Sequence, residues 1–152
     1  MQAKEFKVIW SDWNGAVRGR PSRSIAVQAD ATLYDLAAAV LSSFDFDMDH
    51  AFGFYDNLKD WTSSQIGYEW FADMGERGMF PGVKRTRISK AFRTDNQKLL
   101  LLFDYGDEWR FVVQYIKEID SPAGKELPMV LSSKGNAPSQ YGDDEYEDEG
   151  EC

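Results

Sequence analysis

Phe6, Val8 and Trp10 alternate with Glu5 and Lys7 near the start of the chain, the period of a strand with one buried face. Asn14-Gly15 favours the positive backbone angles of a tight hairpin and Pro21 cannot sit in a central strand, and Ile25 and Val27 then predict a second strand over residues 24–28 that pairs antiparallel with the first. From Thr32 the period changes. Leu33, Leu36, Ala37, Val40, Leu41 and Phe44 recur at spacings of three and four, one apolar stripe of a helix. Thr32 is its predicted cap, answered by Asp35 three residues on. Phe52 and Phe54 on one side of a short apolar stretch predict a third strand.

The next segment is harder to assign, because Trp61, Tyr68, Trp70, Phe71, Met74, Met79 and Phe80 are interspersed with glycines. A short helix over residues 68–74 within a long loop is the expectation, with a second over residues 88–92. Residues 98–104, nearly all leucine before Phe103, read as a strand buried on both faces. After the turn Tyr105-Gly106-Asp107-Glu108, residues 109–119 return as a long strand. Beyond it the prolines and glycines at 122, 124, 128, 135 and 138 predict an irregular arm. The fold class that follows is α+β, one domain with a strand-strand-helix opening packed on a mixed or mainly antiparallel sheet and a long C-terminal hairpin.

Composition fits that picture, at 152 residues, 43% hydrophobic and 28% charged. No apolar run approaches the roughly 18 residues that spanning a membrane takes, and the first residues lack a signal-peptide core, so a cytoplasmic location is expected. The lone Cys152 permits neither an internal disulfide nor a multi-cysteine zinc site. The formal charge of -9 is unevenly placed: residues 143–152 hold seven acids and no base, which leaves 19 acids against 17 bases elsewhere. The expected division is therefore a body over residues 1–142 and a solvated acidic tail over residues 143–152.

Several groups are candidates for chemistry. Asp104, Asp107 and Glu108 share one turn and, with His50, read either as carboxylates for acid-base or metal-dependent hydrolysis or as a hairpin turn whose aspartates accept backbone amides. Asp45, Asp47 and Asp49, next to His50 and with Asp56 further on, have part of the spacing of a calcium loop. They lack its glycine at the sixth position and its closing glutamate, which makes them weak metal candidates beside the reading of a water-facing helix end. Lys84, Arg85, Arg87, Lys90 and Arg93 form a run without an intervening acid, either a solvated face or a nucleic-acid patch, and a surface on which the acidic tail of the same chain is expected to dock. Trp61, Trp70 and Phe71 read as a partner-binding surface or as the cover of an open sheet face. No cofactor is expected.

The segments TLYDLAAAVLSSFDFDMDHAFGF, LLLLFDYGDEWRFVV and KGNAPSQYG, in this order along the chain, resemble the plasmid pRiA ORF-3-like family, which includes passenger proteins of insertion sequences. The resemblance runs from about Lys4 to Gly142 and rests on Asp104 to Trp109, on Thr32-Leu33, and on His50 with Phe54. It implies an α+β domain and no established activity. Some members are described as TnpR-like resolvases, but the activated serine among arginines that a serine recombinase needs does not occur here. Two departures are visible: Ser22-Arg23 stands where the family often has Trp-Arg, and residues 137–142 replace a cysteine-containing segment. The leading expectation is a non-catalytic protein-interaction module, with a link to mobile elements implied by the resemblance. A nucleic-acid accessory protein using residues 84–93 and a small metal-dependent hydrolase at the Asp104-Asp107 turn are the alternatives.

Overall fold

A computed structural model describes residues 2–75, 78, 80–122 and 124–140. Seven strands form one sheet: β1 (Gln2–Ser11), β2 (Ser22–Gln28), β3 (Phe52–Tyr55), β4 (Gly67–Glu69), β5 (Lys98–Phe103), β6 (Trp109–Asp120) and β7 (Met129–Lys134). Their order across the sheet is β4-β3-β5-β6-β1-β2-β7, with every neighbouring pair antiparallel. Helices α1 (Leu33–Ser43), α2 (Trp70–Asp73) and α3 (Ile88–Ala91) complete the α+β architecture. None is long and apolar enough to cross a membrane.

The helix predicted from Thr32 is present with its cap. Asp35 N donates to the Thr32 hydroxyl and Thr32 N donates back to the Asp35 carboxylate, so two otherwise orphaned amides are satisfied. Leu33, Leu36, Ala37, Val40 and Leu41 are buried against one face of the sheet, where they meet Phe6, Val8, Ile25, Val27, Leu99, Leu101, Phe111 and Val113. The strand of leucines is buried on both faces as expected: Leu99 and Leu101 join this core, while Leu100 and Leu102 are just as inaccessible on the other side.

Four local expectations change. Asn14-Gly15 does not make a two-residue hairpin; it lies in the longer connection over residues 12–21, organised by Asp12, whose carboxylate accepts the amides of Asn14 and Ala16. The helix expected over residues 68–74 shrinks to α2, because residues 67–69 pair with β3 as strand β4. The second expected helix stops at Ala91. The irregular arm contains β7, which pairs with β2 and ends the sheet. A register shift in that pairing leaves Leu131 without a partner opposite, so Met129, Val130 and Leu131 stand in a row and the period-two signal of a strand is lost.

Arg23 ties this arm down. It is 7% exposed, its guanidinium lies 4.5 Å from the centre of the Phe44 ring, and it donates to the carbonyls of Ser22, Ser43, Lys134 and Gly135. One side chain thus joins β2, the end of α1 and the end of β7. Arg23→Ala leaves these carbonyls without their donor and is expected to destabilise the fold by about 2–4 kcal/mol, with Arg23→Lys recovering only part, since an ammonium cannot reproduce the planar fork. Urea denaturation of the two variants measures this.

Candidate functional site

The turn between β5 and β6 organises one end of the sheet. Asp104 adopts a positive φ of 66°, its amide donates to Ala51 O, and its Oδ1 accepts the amides of Gly106 at 3.1 Å and Asp107 at 3.3 Å. This is turn chemistry, with the carboxylate replacing a backbone acceptor. Its Oδ2 faces His50, whose Nε2 is 3.6 Å away and also 3.5 Å from Asp49 Oδ1. The structure therefore brings His50 to Asp104 but sends the other two acids elsewhere. Asp107 is exposed, and Glu108 pairs with Arg110 at 2.5 Å. Arg110 in turn donates to the carbonyls of Trp13 and Lys59, which fastens two loops to the start of β6.

Asp45, Asp47 and Asp49 do not converge. Asp45 is exposed at a φ of 60°; the backbone of Asp47 exchanges hydrogen bonds with the Gln140 amide; Asp49 Oδ1 accepts from the same side chain. Asp56 closes its own loop by accepting the amides of Gln65 and Ile66. Among the described residues no group of three or more His, Cys, Asp or Glu side chains is placed to hold a metal ion. Gln140 anchors the chain here, beside the end of α1; the acidic tail and its docking lie outside the described residues.

The basic run divides. Lys84 lies over the Tyr34 ring, Arg87 donates to Asp30 O, and Arg85 is exposed. Lys90 and Arg93 line an open hollow of about 580 Å³ with Lys4, where Asp95 and Glu118 offset their charge. Arg20 stacks on Trp10 and Arg23 is buried, both at the Ser22 end of β2, whereas Arg87 sits beyond its Gln28 end. A seven-residue strand, about 20 Å, separates the two sets.

A cluster that the sequence reading did not single out lies on the sheet face opposite the main helix. Tyr55, 1% exposed, donates to Glu69 Oε2 at 2.5 Å, and its oxygen is 2.7 Å from the Tyr105 hydroxyl. Because Tyr55 has a single proton and gives it to Glu69, Tyr105 is the donor to Tyr55. Trp61 packs on both tyrosines, Phe71 on Tyr105 and Phe80 on Tyr55. Asp60 caps the short turn that carries Trp61; hydrogen bonds from the Thr62 and Ser63 hydroxyls hold its carboxyl below the usual range. Gly53 beneath the phenols has no room for a side chain, since a Cβ would stand 2.7 Å from the Tyr105 oxygen and 2.9 Å from that of Tyr55. Trp70 turns to the opposite face and stacks on Phe52. The aromatic segment thus wraps the β4 edge, and its two faces cover different sides of the sheet.

Burial pushes both phenols up, Tyr55 further through its bond to Glu69. They are proton donors across the physiological range, which suits a hydrogen-bonded latch rather than a base. Raised folded values mean that the associated stability is complete below the unfolded tyrosine value near 10 and declines as pH rises above it. Alkaline titration followed by tyrosinate absorbance is expected to show Tyr55 and Tyr105 among the phenols that ionise only with unfolding, beside Tyr68, which burial also pushes up. Tyr55→Phe, which takes the donor from Glu69 and the acceptor from Tyr105, should leave one fewer late-ionising phenol and lower stability by about 1–3 kcal/mol.

Comparison with known proteins gives a consistent picture. The model of the plasmid pRiA4b ORF-3-like protein family matches residues 16–148. No curated protein matches the chain. A crystal structure of a protein of unknown function, MM3350 from Methanosarcina mazei Go1, is similar with a TM-score of 0.69 and 20% identity over 90% of this chain and 71% of the other. At that identity the likeness is one of fold.

Proposed function

From the premise that the chain belongs to the plasmid pRiA4b ORF-3-like family, whose biochemical function is unknown, we propose that it is a non-catalytic module that binds another protein through the uncovered half of its sheet. The observation that carries this reading is the unequal cover of the outer face. Over β3 and β5 that face is closed by Trp61, Phe71, Phe80 and Tyr105 around Tyr55. Across β1, β2 and β7, with Ile116 of β6 at its margin, it is open, with a hollow of about 370 Å³ lined by Glu5, Lys7, Ser22, Ser24, Ile116, Ser132, Ser133 and Lys134 beside the anchored Arg23. These are short hydroxyls and flexible charges around a single aliphatic residue, a wet surface suited to polar contacts with a partner.

The competing readings draw less support. For nucleic acid, the cations at positions 84–93 are divided between a ring, a carbonyl and a hollow shared with two acids, whereas phosphate binding is favoured by one continuous basic face. For hydrolysis, only His50 and Asp104 approach each other, and Asp104 already holds the turn.

The test is affinity capture from the native cell with the wild-type chain and with Ser24→Arg, which fills the open hollow from a half-buried, outward-facing position. A protein retained by the wild type and lost from a variant with unchanged melting supports the reading. An identical set of captured proteins from both chains rules it out.

A further inference from the structure

The two margins of the sheet are built differently. The β4 margin has three residues, and Glu69 N is already bonded to Pro81 O before the chain turns into α2. The β7 margin has six residues, five of them exposed, and among the described residues it pairs only on its β2 side. A strand edge of this length leaves a row of amides and carbonyls that an added strand can satisfy. Val130 and Leu131 are also exposed there, at 44% and 37%.

The surfaces on either side of β7 differ in chemistry. Opposite Ile25, Val130 faces the α1 side, where two adjoining hollows of about 70 and 220 Å³ share Pro128; Ala38, Ala39 and other apolar residues make up most of their walls, with Ser42 and Ser43 in one and Gln28 and Asp35 in the other. On the outer side Lys134 and Lys7 flank Ser132 and Ser24, and the carboxylate among them, Glu5, already accepts from Ser24. We propose that β7 is a docking edge for an extended segment of another protein, added as an eighth strand, in which small aliphatic residues alternate with acidic ones. The aliphatic side chains enter the α1 hollows and the acidic ones meet Lys134 on the adjacent strand, with Lys7, about 14 Å away across β2 and β7, adding a favourable field rather than a contact, so main-chain bonds supply affinity while alternate side chains supply selectivity. This rests on the sheet-face reading and narrows it to one edge. A second copy fits less well, because an antiparallel pair of β7 strands sets Lys134 of one copy beside Met129 of the other, and β7 itself carries no acid to meet it.

The experiment is selection of a phage-displayed library of random twelve-residue peptides on the full chain, followed by amide NMR of the isotopically labelled chain with the enriched peptides. Peptides alternating aliphatic and acidic residues are expected, with shifts and slowed exchange concentrated at residues 129–134. The exposed-site double variant Lys7→Glu/Lys134→Glu is expected to weaken them about tenfold or more, and Val130→Arg to abolish binding, each with melting unchanged. No enrichment, peptides without the alternation, or a dimer that buries β7 in sedimentation would overturn the proposal. Shifts confined to Glu5, Ser24 and Ile116 would overturn the edge and leave the sheet-face reading in place, whereas a failed capture comparison with intact peptide binding would remove the partner reading instead.

Discussion

A strand of consecutive leucines has to be covered on both faces, and the arrangement of this molecule follows from that requirement. Leu99 and Leu101 take the helix side, while Leu100 and Leu102 project to the other, where a bare face would leave them in water. Burying a leucine is worth about 2 kcal/mol, so leaving one side open would forfeit several such contributions. Helix α1 supplies the first cover. The second comes from the aromatic segment that follows β3, where Trp61, Phe71 and Phe80 close over Tyr55 and Tyr105, while Trp70 and Trp109 pack on the helix side against Phe52 and Phe46.

The second cover is attached by polar bonds as well as by packing. Tyr105 leaves the β5–β6 turn on the outer side and meets Tyr55, which donates to Glu69, while Asp104 of the same turn faces His50 on the inner side. A six-residue turn signature therefore has a structural partner for each of its bulky members: Asp104 for the local amides, Tyr105 for Tyr55, Glu108 for Arg110, Trp109 for Phe46. Dense polar sequence in a hairpin reads as chemistry when taken alone. In the fold it fastens layers that would otherwise meet only through apolar contacts.

The cover stops short of β1, β2 and β7. There the outer face is hydroxyl and charge rather than aromatic, and the last strand is held by backbone pairing and by Arg23. The two halves of one face thus differ in kind. One is a sealed extension of the core, and the other is a wet surface beside an open strand edge, which is where binding has physical room.

Much of this was legible in the residues. The capped helix, the double-sided leucine strand and the long return strand follow from periodicity, because local pattern and burial agree there. β7 was hidden because its bulge breaks alternation, and β4 because three residues beside a helix carry too little pattern to outweigh helical spacing. The Tyr55, Tyr105 and Glu69 cluster joins three strand ends separated by up to 50 positions in the chain, and no local signal connects them. Local periodicity settles the set of elements and which of their faces seek burial, since those depend on neighbours two, three or four residues away. Which charged groups are spent on the fold and which of them meet follow from the packing of the whole chain, because each depends on where distant segments come to rest.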